Sequence, residues 1–257
     1  MARMETRKTR TGARVPKDGA GPSYLGQAIE EGVIVARQEP NVGEMQGRIL
    51  LAAIALFAER GYENCGTRAI ASAVGLKAPT IYNYFPSKEA LLVEAIEFGM
   101  NDFFSYVLHD IDQFAPEEQF FEIAKRHIVY KIQHRVIARA NDKLIDPQFG
   151  KMFLPEESQV RFKARLDEYR YKIHELVAKL VDQEGPIDSM IATLSVMNQW
   201  DRAAYWYNPA GPRTAGEVVD QMLILTKRIL GLSDSFTPGA NESSASNNLA
   251  AERILSI

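Results

Sequence analysis

From Glu44 to Leu230 the apolar residues return every three or four positions, and no stretch alternates apolar with polar between turn signals. That periodicity restricts the chain to an all-α fold. The interruptions set the helix lengths. EMQGRILLAAIALFAER, residues 44–60, gathers Ile49, Leu50, Ala53, Ile54, Leu56 and Phe57 on one broad face and stops at Gly61. Thr67 is placed to cap a short helix ending at Val74, and Gly75 makes the turn. Ile81 and Phe85, four apart, anchor a second short helix across Gly75–Phe85, which Pro86 breaks; Ser87 then caps a helix predicted to run to about His109. Longer helical patterns cover 117–140, 156–184, 187–207 and 215–230, the last opened by a capping box from Thr214 to Glu217. The expected architecture is an N-terminal three-helix helix-turn-helix domain followed by a larger C-terminal helical bundle. The expected boundaries are a basic, mostly flexible extension over 1–43, the helix-turn-helix domain over 44–92, a larger helical domain over 93–231, and a disordered tail over 232–257.

Composition narrows the classes of function. A net charge of -3 over 257 residues, with a pI near 5.9, argues against a surface coated with basic residues for sequence-blind nucleic-acid binding. It leaves room for a small, local DNA-reading face. The basic residues concentrate in 1–17, where six Lys/Arg meet one Glu; such an arm can solubilise the chain or follow a DNA backbone. The single cysteine, Cys65, excludes an intrachain disulfide and suits a reducing compartment. No apolar run is long enough for a membrane span and none follows the basic N-terminus as a signal peptide requires, so the expected location is the cytoplasm. There is no phosphate-binding glycine loop and no nucleophile elbow, hence no enzyme, cofactor or metal is expected.

A helix, a tight turn at Gly75 and a second short helix can lay one helix in a DNA major groove and the other across the backbone. With Ile81 and Phe85 facing inward, Thr80, Asn83 and Tyr84 are expected on the outer side, able to meet base edges. Lys88, in the first turn of the next helix, is a candidate phosphate contact. The bland alternative is a helical interaction module whose polar groups meet only water. The residues themselves favour DNA. GYENCGTRAIASAVGLKAPTIYNYFPSKEALL, residues 61–92, closely resembles the DNA-binding module of the TetR family of bacterial transcriptional regulators. Gly61, Tyr62, Thr67, Ile70, Ala71, Gly75, Thr80, Ile81, Tyr82, Tyr84, Phe85, Lys88, Glu89 and Leu91 carry the likeness. The resemblance implies backbone contacts from Thr67 and Arg68, a base-reading helix from Ala78 through Pro79, Thr80, Tyr82 and Asn83 to Tyr84, and a phosphate anchor at Lys88. Where relatives commonly carry serine, this chain has Lys77, a poor helix cap that can reach a phosphate. From Glu44 to Glu89 five Lys/Arg barely outweigh four Glu, so tight operator binding needs two copies.

The same resemblance implies a homodimer on a palindromic double-stranded DNA operator, paired through the last two helices. Their apolar residues are Ile187, Met190, Ile191, Leu194, Met197 and Ala204 on one, and Val218, Val219, Met222, Leu223, Leu225, Ile229 and Leu230 on the other. The remaining helices are expected to enclose a small-molecule effector. His127, Tyr130, Lys131, His134, Arg135, Arg139 and Tyr169 are its candidate ligands by composition. His127 and His134 stand seven apart, but nothing completes a metal set. The segment 198–218, with Trp200, Trp206 and Tyr207 before a Pro-Ala-Gly-Pro loop, is similar to one found in regulators of fatty-acid and steroid degradation, several of which respond to acyl-coenzyme A thioesters. That likeness adds Trp200 and Trp206 to the candidate site and implies an amphipathic effector, an acyl-coenzyme A among the candidates, with repression relieved on binding. A drug-responsive efflux regulator is the alternative within the family.

Overall fold

The computed structural model describes residues 42–181 and 185–233. The expectations for the basic arm and for the polar tail therefore fall almost wholly outside the described residues. Within them every regular element is helical: α1 (Val42–Arg60), α2 (Thr67–Ala73), α3 (Ala78–Ile81), α4 (Lys88–Val107), a 3-10 turn (Ile111–Gln113), α5 (Pro116–Gln133), α6 (Arg135–Leu144), α7 (Pro147–Phe153), α8 (Glu156–Leu180), α9 (Ser189–Trp206) and α10 (Ala215–Ile229). The fold is all-α, with a helix-turn-helix at the N-terminal end and a larger helical body behind it.

The helix stops follow local chemistry. Gly61 and Gly75 take left-handed backbone angles, φ 79° and 76°, which a Cβ would oppose. At Gly75 this turns the chain so that the Leu76 N–H returns to the Ala71 carbonyl at 2.8 Å. Ser87 Oγ accepts from the Ala90 N–H at 3.0 Å, and Thr214 and Glu217 close their capping box in both directions.

Four sequence expectations are corrected. Thr67 is not the cap of α2: Gly66 holds that position, and the Thr67 hydroxyl instead meets Tyr82 Oη at 3.3 Å. The short helix expected to reach Phe85 stops sooner. Pro79 sits in its first turn, the α-helical part is only Ala78–Ile81, and overlapping turns through Asn83 and Tyr84 carry the chain on to Phe85. The pattern over 117–140 is two helices, because His134 leaves helical geometry (φ -106°, ψ 30°) and α6 restarts after it at Arg135. Finally, Asp146 caps an additional helix, α7, by accepting from the Gln148 and Phe149 N–H groups.

Two apolar cores result. The first joins Ile49, Leu56, Ile70, Ile81, Phe85 and Leu92 of the N-terminal helices to Val136, Ile137, Ala140 and Leu144 of α6, so the helix-turn-helix rests directly on α6 through α1. Lys143 reinforces this contact by donating to the Ala58 carbonyl near the end of α1. The second core lies among α5, α8, α9 and α10 around Phe120, Ile173, Trp200 and Met222. α4 enters both, with Leu91 and Met100 in the first and Val107 in the second, and so runs the length of the molecule.

Candidate DNA-reading face and effector cavity

Burial sorts the N-terminal candidates. Ile70, Val74, Ile81 and Phe85 form the floor between α2 and α3. Arg68, Lys77, Pro79 and Asn83 are exposed, and Tyr82 is 52 % exposed. Thr80 and Tyr84 are half-buried, and the Tyr84 ring lies 6.5 Å from that of Phe85. The outward set expected from spacing therefore shifts: Asn83 is as expected, Tyr82 joins it, and Tyr84 divides itself between core and surface. This follows from the single helical turn, since a tighter wind after Ile81 rotates the last residues away from the α-helical register. Ala78 and Thr67 are half-buried between the two groups. Lys88 is already engaged, its ammonium 4.3 Å from the Tyr62 ring centroid and 3.4 Å from the Glu63 carbonyl, so a phosphate must compete with these partners.

Behind this module a partly open cavity of about 180 Å³ lies between α4, α5, α6, α8 and α9. One side is apolar, with Met100, Phe103 and Met197; the other is a chain of hydrogen bonds. Lys131 Nζ lies 2.8 Å from Asp142 and 2.9 Å from Asp201, and Asp201 also meets His127 Nε2 at 3.0 Å. His127 Nδ1 is in turn 3.0 Å from Tyr169 Oη, and Tyr130 donates to Asp102 at 2.8 Å. Burial opposes the Lys131 charge, but Asp201 and Asp142 outweigh it and push the ammonium's pKa up. Burial also opposes the Asp201 charge, and Lys131 with His127 overcomes it, holding this carboxyl well below the usual range. For Asp142 burial wins and its pKa rises; for His127 burial wins over Asp201 and the imidazole's pKa falls. Asp142 and Asp201 also edge an open groove shared with Arg202 and Tyr205, so the Asp142–Lys131–Asp201 chain partitions the cavity from the surface.

The structure brings together His127, Tyr130, Lys131 and Tyr169 at this cavity. His134, Arg135 and Arg139 do not line it; Arg139 instead stacks on Tyr205, 5.8 Å from the ring centroid. The break at His134 is the cause, because it shifts the helical register so that Ala138, Asn141 and Asp142 of α6 line the cavity in place of Arg135 and Arg139. Trp200 is fully buried as core, its indole N–H donating to Thr226 Oγ1 at 2.9 Å, and Trp206 is an exposed surface residue. Sequence reasoning missed Asp142, Asp201 and Asn141, the acidic and amide members of the wall. Little in the sequence marks them: Asp201 stands beside Arg202 and two positions after Gln199, as a surface carboxylate would.

The two last helices are also sorted by burial. Ala204, Val218, Val219, Met222 and Leu230 face the chain's own core, whereas Ile191 is 62 % and Leu225 48 % exposed, and Leu194 is exposed with them. Much of the expected pairing surface is thus internal packing, and a narrower apolar strip remains outward. Among the described residues no group of three or more His, Cys, Asp or Glu has the arrangement of a metal site, and no helix is long and apolar enough to cross a membrane.

A helix-turn-helix seated on a helical body that contains a cavity is the plan of a DNA-binding regulator with a sensing domain. Two family models agree with that plan: residues 49–95 match that of the bacterial regulatory proteins of the tetR family, and residues 113–230 match a tetracyclin repressor-like C-terminal domain. Together they cover more than half of the sequence, and the chain belongs to the TetR family of transcriptional regulators. It is 26 % identical over 174 residues to the HTH-type transcriptional activator FasR of Mycolicibacterium smegmatis, covering 66 % of this chain and 75 % of that one. It is 24 % identical over 196 residues to the HTH-type transcriptional repressor KstR2 of Mycobacterium tuberculosis, covering 72 % and 92 %. Among solved structures, AibR in complex with isovaleryl coenzyme A and operator DNA shares the fold with a TM-score of 0.60 at 22 % identity, over 70 % of this chain and 97 % of that one.

Proposed function

We propose that the protein is a dimeric, ligand-responsive transcriptional repressor, acting in the cytoplasm on a palindromic operator and released by a small amphipathic effector. The observation that carries this reading is the continuity of one core from Ile81 and Phe85 of the reading module to α6, whose Asn141 and Asp142 line the cavity. A ligand that moves α6 moves the seat of the helix-turn-helix. Linkage then requires that operator DNA weaken ligand binding by the factor by which ligand weakens DNA binding. Lys77, Pro79, Tyr82 and Asn83 are the proposed base- and backbone-meeting residues, assisted by Arg68 and, once released from Tyr62, Lys88. The homodimer is proposed to form through the outward strip that includes Ile191, Leu194 and Leu225.

An acyl-coenzyme A thioester remains a candidate effector on the strength of the likeness to AibR, whose structure contains isovaleryl coenzyme A. A drug-responsive role is favoured by a different observation, the aromatic and acidic character of the cavity wall. Repression in place of activation is part of the proposal, since FasR is named an activator and KstR2 a repressor. A mobility-shift titration with DNA flanking the protein's own coding region tests the whole reading. Operator binding relieved by coenzyme A thioesters, and not by free acids, supports the first effector class; relief only by planar or cationic aromatics supports the second. Failure to shift any such DNA returns the chain to the role of a helical interaction module.

A further inference from the structure

The polar wall of the 180 Å³ cavity is not symmetrical in hydrogen-bonding sense. Because Asp201 is ionised and can only accept, the His127 Nε2–H must donate to it, which leaves Nδ1 as an acceptor for the Tyr169 hydroxyl. The Tyr130 hydroxyl is given to Asp102. Lys131 directs two of its N–H groups at Asp142 and Asp201, and its ammonium lies 5.6 Å from the Phe103 ring centroid. The Arg170 guanidinium stands at the rim, bonded to Asp167 at 2.6 Å. Most of these donors are therefore engaged, the exceptions being the third Lys131 N–H and the Arg170 N–H groups beyond the one bonded to Asp167.

Acceptors are left over. Asn141 is 9 % exposed, lines the cavity, and its Oδ1 has no hydrogen-bond partner. A buried acceptor without a donor carries a standing desolvation cost. Gly99 of α4 makes room for it, since a Cβ at that position would lie 2.7 Å from Asn141 Oδ1. The Tyr169 hydroxyl, donating its hydrogen bond to His127 Nδ1, can still accept at its oxygen. Charge points the same way, for the two cations Lys131 and Arg170 are outnumbered by the carboxylates that hold them and their neighbours, Asp142, Asp201, Asp167 and Asp102, and an arriving anion would meet a surplus of negative charge. The volume is below the ~300 Å³ at which drug-sized pockets begin, so the occupant is small or is one end of a longer molecule.

We propose that this cavity takes a small neutral or cationic group that donates hydrogen bonds, a hydroxyl or an amine on an apolar body, and turns carboxylates away. The inference rests on the reading of the cavity as the effector site and names the chemistry of that site. A thioester effector would then enter by a hydroxylated or amine-bearing end, with its phosphates outside the partition formed by Asp142, Lys131 and Asp201.

The test uses the full chain with 13C-methyl methionine, because Met100 and Met197 both line the cavity and report occupancy directly. Assignment follows from M100L and M197L. The probes are cyclohexylammonium, cyclohexanol and cyclohexanecarboxylate, one ring with three heads. The expected result is that the first two shift both methyl resonances, and that the carboxylate requires roughly tenfold or more higher concentration for the same shift. Asp201→Asn should narrow the gap between ammonium and carboxylate; should that variant fail to fold, the wild-type comparison stands alone. Equal response to the carboxylate, or no response to any probe, overturns the proposal. Binding by the amine and alcohol without release of the operator upholds the ligand class and sinks the effector role, so the two failures are separable.

Discussion

Lys131 Nζ lies 2.9 Å from the Asp201 carboxylate while also meeting Asp142, so one ammonium on α5 holds α6 and α9 together beneath the reading module. Replacing Lys131 by methionine leaves both carboxylates without their cation. Breaking a buried pair costs ~3–5 kcal/mol, and the figure here should fall toward the lower end because the Asp201 side chain is 44 % exposed. Urea unfolding at neutral pH should report that loss. Lys131→Met with Asp142→Leu should recover part of it, since the second change removes the more deeply buried of the stranded charges.

Acid should weaken the fold through His127. Burial lowers its pKa in the folded state, so the unfolded chain takes up a proton first, near its ordinary value of about 6.5. The stabilisation from the neutral imidazole is therefore complete above that pH and is lost as pH falls from there toward the depressed folded value. Thermal melts between about pH 7.5 and 5 should show a declining Tm in the wild type and a flatter profile in His127→Gln. An equal slope in both would assign the acid sensitivity elsewhere.

Gly99→Ala should destabilise by ~1–3 kcal/mol, as overpacking does, because its methyl group would stand 2.7 Å from Asn141 Oδ1. Asn141→Ala in the same chain removes the obstruction. The double variant should be more stable than the sum of the two single losses predicts, with a coupling of about 0.5–3 kcal/mol by chemical denaturation.

At the reading face, Asn83→Ala should reduce affinity for the operator by about 1–3 kcal/mol while leaving non-specific DNA binding and the salt dependence unchanged. Lys77→Ala should weaken binding to all sequences alike and lower the salt slope by about 0.9, the value for one phosphate contact. Both residues are exposed, so melting temperatures should not move. Fluorescence anisotropy on operator and scrambled duplexes, repeated across salt concentrations, separates the two effects.

Ile191→Glu with Leu225→Glu places charge on the outward strip of α9 and α10 without touching the buried Val218, Val219 or Met222. Sedimentation should give a mass near twice 28.8 kDa for the wild type and near 28.8 kDa for the variant. Operator affinity should fall with the loss of two-site binding. A dimer that survives both charges would move the interface away from this strip.

Some of this protein is determined locally. Gly61 and Gly75 take positive φ wherever the chain folds, Ser87 and Thr214 satisfy N–H groups three residues ahead, and Ile81 with Phe85 fixes one inward face; these facts need only neighbours in sequence, and they made the helix-turn-helix and its family legible. The break at His134 carries no proline or glycine to announce it; it is seen only where α6 packs on α1, and with it Arg135 and Arg139 leave the cavity wall. Tertiary structure alone also decided the partners of Lys131, because Asp142 and Asp201 lie 11 and 70 positions away and a buried charge finds its counter-ion by proximity in space. Periodicity marks which residues of α9 and α10 are apolar, while the position of the neighbouring helices determines which of them, Met222 or Leu225, is left facing outward.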